Sequence, residues 1–160
     1  DMIRNLVSVT CLDEDGEIRS HPSSDLNAQY RSIPDLAHNF VLQAVFEGSP
    51  CAKEEIEEKL ENARAKRRLS QPSGASAGCI FKNPEEIPAG KLIDELGLKN
   101  ACVGDACVSS VHANFIINRG HARARDITIL IDMIRKEAME NRGIDLKSEA
   151  QVIGDREPQF

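Results

Sequence analysis

The spacing of apolar positions changes period along this chain. Residues 6–12, Leu6-Val7-Ser8-Val9-Thr10-Cys11-Leu12, are rich in β-branched side chains that pack well on a pleated surface, and predict a strand. Asp13-Glu14-Asp15-Gly16 is turn chemistry, and Glu17-Ile18-Arg19-Ser20 resumes as a short strand, making a hairpin. A polar stretch from His21 to Asn27 and the segment Tyr30-Arg31-Ser32-Ile33-Pro34 come next. The unbroken run Phe40-Val41-Leu42-Gln43-Ala44-Val45-Phe46 then predicts a largely buried strand. The first forty-odd residues thus read as sheet.

The period then changes to that of a helix. Ser49-Pro50 is a good helix start, and Ile56, Leu60 and Ala63 fall on one face of the helix it opens. Glutamates 54, 55, 57 and 58 crowd its beginning, and Arg64, Lys66, Arg67 and Arg68 its end, an order that complements the helix dipole. Ser70-Gln71-Pro72-Ser73-Gly74-Ala75-Ser76-Ala77-Gly78 breaks all periodicity with small residues, as a linker or a loop packed closely on a ligand does, and a domain boundary is placed there. Beyond it, Ala89 to Leu96 predicts a short helix with Leu92, Ile93 and Leu96 inward and Gly97 as its stop. Phe115-Ile116-Ile117-Asn118 predicts a strand. Residues 124–141 predict the longest helix, with Ile127, Leu130, Ile131, Ile134 and Ala138 on its stripe and Gly143 past its end. Glu149-Ala150-Gln151-Val152-Ile153 predicts a final strand.

Composition narrows the function classes. An apolar fraction of 41% over 160 residues supports a real core. A net charge of −6 disfavours nonspecific binding to nucleic acid or anionic membrane, while leaving room for a local basic pocket. The sequence holds no bilayer-length apolar run and no signal-peptide pattern at its first residues, so it reads as soluble and cytoplasmic. Five scattered cysteines, Cys11, Cys51, Cys79, Cys102 and Cys107, argue against a full disulfide framework and predict mostly free thiols. Cys102 and Cys107 lack the spacing of a zinc knuckle and read as core thiols. His21, His38, His112 and His121 show no metal-ligand spacing, so no metal site is expected. The first strand comes almost at once after the first residue, an expectation of a larger protein around this chain.

Taken singly, the polar residues have ordinary explanations. A Tyr-Arg pair is usually a packed ring beside a surface ion pair, a glutamate on a strand is usually solvated, and a small-residue loop is usually a linker. Their order is what is specific: Ser76-Ala77-Gly78-Cys79-Ile80-Phe81-Lys82-Asn83-Pro84, then Ala89-Gly90-Lys91-Leu92-Ile93-Asp94-Glu95-Leu96-Gly97-Leu98-Lys99, then Val108-Ser109-Ser110-Val111-His112-Ala113-Asn114-Phe115-Ile116-Ile117-Asn118. With Tyr30-Arg31-Ser32 upstream, Ala124-Arg125-Asp126-Ile127, Gly143-Ile144-Asp145-Leu146 and Glu149 to Gly154 downstream, almost the whole chain resembles the UDP-N-acetylenolpyruvoylglucosamine reductase family.

The resemblance implies an α+β chain: the remainder of a flavin-binding sheet domain over residues 1–70, a small α+β substrate-binding domain over 71–146, and a returning strand and tail over 147–160. It implies FAD and NADPH as cofactors and UDP-N-acetylglucosamine enolpyruvate as substrate, reduced to UDP-N-acetylmuramate for peptidoglycan. The family's glycine-rich flavin loop and Asn-Ala-Gly segment have no counterpart here, so an N-terminal FAD-binding half is expected as a partner. The chain looks like the shorter type, without a tyrosine-bearing lid loop.

Hydride addition to the terminal carbon of an enolpyruvyl group leaves charge on the neighbouring carbon and the carboxylate, which must be stabilised and then protonated. By resemblance, Arg31 holds the carboxylate through its forked donors, Glu149 polarises the same end, and Cys79 stands where the family usually has a serine proton donor. A thiol, with a reference pKa of ~8.5, is protonated at neutral pH and a stronger acid than an alkanol; its ordinary alternative is a space-filling buried thiol. Tyr30, Arg68, Lys82, Asn83 and His112 are implied substrate-binding residues. Of these, Lys82 has a loop-capping alternative, Arg68 shares its register with Arg67, and His112 serves equally as a structural hydrogen-bonding residue. Gln151 and Arg123 depart from the family's arginine and threonine. The competing readings are a sugar-nucleotide-binding module without chemistry and, more distantly, a thiol-dependent or metal-binding protein.

Overall fold

The computed structural model describes residues 2–153. The elements in order are β1 (Leu6–Leu12), β2 (Ile18–Pro22), β3 (Phe40–Phe46), α1 (Lys53–Ser70), β4 (Ala75–Cys79), α2 (Ala89–Glu95), β5 (Cys102–Val103), β6 (Ala106–Val108), β7 (Phe115–Asn118) and α3 (Ala124–Arg142), an α+β chain. It forms two compact units that divide within α1, between Ile56 and Glu57.

In the first unit, the Asp13–Gly16 turn joins β1 and β2 antiparallel, and β3 pairs on the other side of β1, giving the order β2-β1-β3. Alternate β1 side chains, Val9 and Cys11, are buried with Leu26, as the strand period requires. β3 departs from its expected burial: all seven of its residues are exposed. An apolar run records a demand for cover, and among the described residues nothing supplies it on this edge strand. α1 likewise leaves Ile56 and Leu60 exposed.

The second unit holds the larger core. Its sheet runs β4-β7-β6-β5, all neighbours antiparallel. α2 and α3 place Ala89, Leu92, Ile93, Leu130, Ile131, Ile134 and Ala138 into one cluster with Ile80, Phe81, Val108, Ile116 and Leu146. The stripe of α3 is the one its sequence predicts, and the helix ends where Gly143 adopts φ +66°, its N–H donating to the Met139 carbonyl at 2.9 Å. At the other end, where Arg123 offers no capping hydroxyl, Asp126 accepts the Arg123 N–H through Oδ2 at 2.9 Å. Gly104, at the β5–β6 turn, makes room for that carboxylate: a Cβ there would meet Asp126 Oδ2 at 2.8 Å. Leu130 is fully buried, so Leu130→Ala lowers unfolding free energy by roughly 2–5 kcal/mol, read from urea midpoints at unchanged slope.

Three expectations are corrected here. The small-residue stretch is not wholly loop, since Ala75–Cys79 is a strand held by β7. Residues 149–153 form no strand; pairing in the described part of this segment reduces to a Phe81–Ser148 bridge and backbone bonds to Ile80. The remaining residues, 154–160, lie outside the described ones. Finally, Cys102 and Cys107 are disulfide-bonded instead of being free core thiols. Five positions apart across the Gly104-Asp105 turn, they are direct cross-strand partners of β5 and β6, an arrangement that spacing motifs for metals do not register. Cys11, Cys51 and Cys79 lie outside any disulfide. No helix among the described residues is long and apolar enough to cross a membrane.

Candidate active site

Cys79 is the last residue of β4, opposite Phe115 of β7. The β4–β7 register slips between Ser76 and Cys79, where Gly78 adopts φ +82°. Such a bulge turns the strand and re-aims the next side chain. Cys79 is thereby half-buried at the wall of a cavity of about 330 Å³.

That cavity also receives Asn83 and His112, so three of the residues expected in the site come together. Asn83 carries a structural duty as well: its Oδ1 accepts the Ala89 N–H at 3.0 Å, fixing the start of α2. His112 is clamped. Its Nδ1 accepts the Asn114 N–H at 3.2 Å, its ring meets Phe115 edge-on at 5.0 Å, and its own N–H donates to Ser109 Oγ at 3.2 Å. With Nδ1 an acceptor, the neutral imidazole carries its proton on Nε2. Gly90 belongs to the same clamp, because a Cβ there would stand 2.7 Å from His112 Cε1. The ring cannot swing aside without losing its bond, so Gly90→Ala costs about 1–3 kcal/mol in urea unfolding and displaces His112.

Glu149, in the C-terminal segment, is not among the residues that line the cavity; its backbone is held next to the end of β4. Its N–H donates to the Ile80 carbonyl at 2.7 Å, while Lys82 N–H donates to the Lys147 carbonyl at 2.9 Å. The segment therefore lies along Ile80–Lys82, and Glu149 is tied to the residue just after Cys79. Lys147, and then Arg135, hold the Asp145 carboxyl below its ordinary range and anchor the segment's start on α3. This contribution is present above the unfolded carboxyl pKa and is lost as pH falls through the folded one.

Tyr30 and Arg31, in the first unit, form the two central residues of a tight turn. Gln29 and Ser32 close it by exchanging backbone bonds of 2.8 and 3.2 Å. Arg31 has φ +58°, a left-handed conformation that costs a non-glycine residue roughly 1–2 kcal/mol, and its guanidinium lies 5.7 Å from the Tyr30 ring centroid. Both side chains are exposed.

Of the residues expected in the site, only Cys79, Asn83 and His112 line the cavity. Arg68, on α1, is exposed and ion-paired with Glu61, and neither it nor Lys82 lines the cavity. Sequence reasoning assigned no role to Lys91, Asp94 and Lys99, which do line it, Lys99 paired with Asp94 at 2.7 Å. Their signal was present in the Gly90–Lys99 motif. Nor did it single out Asn114, which is 2% exposed and whose side-chain amide pairs with the Phe81 backbone in both directions, at 2.9 and 2.8 Å. No metal-binding cluster occurs among the described residues.

Known proteins of similar sequence and structure identify the family of the chain. Residues 70–153 match the family model described as UDP-N-acetylenolpyruvoylglucosamine reductase, C-terminal domain. The UDP-N-acetylenolpyruvoylglucosamine reductase of Protochlamydia amoebophila is 40% identical over 151 residues, covering 93% of this chain and 50% of its own length. That of Syntrophus aciditrophicus is 36% identical, covering 94% and 48%. The crystal structure of the Thermus caldophilus reductase superposes with a TM-score of 0.79 at 34% identity, over 93% of this chain and 53% of that one. The chain spans about half the length of the relatives it matches. It belongs to the UDP-N-acetylenolpyruvoylglucosamine reductase family and carries that family's C-terminal domain.

Proposed function

We propose that this chain supplies the substrate-binding half of a cytoplasmic reductase that converts UDP-N-acetylglucosamine enolpyruvate to UDP-N-acetylmuramate in peptidoglycan precursor synthesis, with an N-terminal FAD-binding half as its partner. The observation that carries the reading is Cys79 at a strand bulge on a cavity wall, with Glu149 tied to the adjacent Ile80 carbonyl. Residues 70–153 match the family's C-terminal domain, and we take 71–146 as the substrate-binding domain and 1–70 as the tail of a flavin-binding one.

The residues beside Cys79 fit a flat cofactor ring. Ser76 and Ala77 are exposed and small, and beyond Gly78 and its two chain neighbours no atom lies within 4 Å of where a Cβ on Gly78 would stand. These would be the residues that meet the ring of FAD. When bound, FAD reduced by NADPH supplies the hydride.

This chain's residues do the rest. Arg31 takes the substrate carboxylate, and its fixed positive charge offsets the charge that develops there. Glu149 orients the same end. The Cys79 thiol gives its proton to the substrate carbon next to the carboxylate, leaving a thiolate that solvent reprotonates. Asn83 and His112, the latter through its Nε2–H, donate hydrogen bonds to the sugar nucleotide, with Tyr30, Lys82 and Arg68 as further contacts.

A protection experiment tests the reading on this chain. Saturating UDP-N-acetylglucosamine enolpyruvate slows iodoacetamide labelling of Cys79 while leaving exposed Cys51 at its own rate. Equal Cys79 rates with and without the sugar nucleotide would contradict it.

A further inference from the structure

We propose that Asn114 is a positioning residue that sets the placement of Cys79 and Glu149 together, acting as a side-chain substitute for a strand at the point where the β4–β7 ladder ends; its catalytic meaning rests on the reading of Cys79 given above. Backbone pairing between β4 and β7 stops at Cys79 and Phe115. One residue on, the Ile80 N–H donates to the Asn114 carbonyl at 2.9 Å. After that the Asn114 side chain takes over, with Oδ1 accepting the Phe81 N–H at 2.9 Å and Nδ2 donating to the Phe81 carbonyl at 2.8 Å. A primary amide carries one acceptor and one donor side by side, so it satisfies a backbone residue in the way a neighbouring strand would. Asn114 is 2% exposed and Phe81 is 1% exposed, so neither bond has water as a substitute.

The other edge of the same short segment carries Glu149. Ile80's carbonyl accepts the Glu149 N–H, and Phe81 bridges Ser148. Ile80-Phe81 is therefore held between Asn114 on one side and residues 148–149 on the other, with Cys79 at its head. Asn114 also donates its own N–H to His112 Nδ1, which adds the cavity's imidazole to the same anchor. Removing the amide leaves two buried backbone groups of Phe81 unpaired, and the relief available is for the segment to part from β7.

The test uses thiol chemistry, which needs no turnover. Iodoacetamide labelling of Cys79 is monitored by peptide mass in the unmodified chain, in Asn114→Leu and in Asn114→Asp. The reference is exposed Cys51, whose thiol the Glu55 carboxylate holds above its ordinary range. Amide exchange of α3 reports whether the unit stays folded. In Asn114→Leu, Cys79 labels roughly tenfold faster or more, with Cys51 and α3 unchanged, as expected when a local opening is made easier. Asn114→Asp keeps size and the acceptor for Phe81 N–H, and falls between. A wild-type Cys79 rate in a folded Asn114→Leu chain overturns the proposal. Should Asn114→Leu lose α3 protection, Asn114→Asp decides it by the same criterion. In the enzyme reconstituted with its FAD-binding half, Asn114→Asp lowers kcat with a smaller change in KM. If Cys79→Ala kept full turnover, the role of Cys79 as acid would fall, whereas the labelling rates would still measure what Asn114 holds.

Discussion

Cys79→Ala lowers turnover of the reconstituted reductase by roughly 10²- to 10⁴-fold, the range for removing one positioned proton donor, while Cys79→Ser keeps a measurable fraction of it. The reason lies in the place of the side chain. The bulge at Gly78 and the hold on Ile80-Phe81 fix where the β-carbon of residue 79 points, and neither depends on sulfur. Serine keeps a hydrogen on a heteroatom at that point, and alanine keeps none. Because Cys79 is half-buried and its neighbours are held by backbone bonds, the truncation to alanine removes little packing, so the loss appears in kcat with the fold unchanged. Equal turnover in Cys79→Ala and the parent would return Cys79 to a space-filling role.

Arg31 carries the second large effect. On the role proposed for Arg31, removing its charge from the developing anion costs roughly 10²- to 10³-fold in kcat. The variant must be chosen with the backbone in mind, since φ +58° strains alanine as much as arginine. Arg31→Gly relieves that strain and so leaves or raises stability while turnover falls. A stability rise accompanied by a rate loss is the signature of a residue held in an unfavourable conformation for its chemistry. Arg31→Lys keeps the charge but loses the fork, and recovers only part of the rate. A turnover within twofold of the parent in Arg31→Gly would remove Arg31 from the site.

Some features were legible because their causes are local. α3 reads within a residue of its true ends because its apolar stripe and Gly143 are sufficient causes, and α2 because Gly97 stops it. The Tyr30-Arg31 pair was visible as a motif, but its left-handed turn was not, since Arg31 bears no glycine-like signal. Other features depend on partners far along the chain. β4 is built of small residues with little strand preference and exists because β7 pairs with it. β5 and β6 are two and three residues long, too short to show a period, and their disulfide is a consequence of their pairing. Val152 and Ile153 look like strand residues, yet the described backbone there makes no ladder. For the apolar run Phe40–Phe46 the strand was legible and its burial was not, because burial depends on what packs against it. Within the site, Cys79, Asn83 and His112 were recognisable by motif, whereas the two-way amide bond of Asn114 to Phe81, 33 positions away, leaves no mark on local sequence.

A reductase reading and a binding-module reading separate when this chain is mixed with the separately produced N-terminal half of a relative, proposed to bind FAD, and NADPH oxidation is monitored with UDP-N-acetylglucosamine enolpyruvate present. Neither half alone oxidises NADPH in a substrate-dependent way, and the mixture does so with UDP-N-acetylmuramate formed in equal amount. A mixture that retains bound flavin and binds the sugar nucleotide yet forms no UDP-N-acetylmuramate would contradict the reductase reading and leave a binding module in its place.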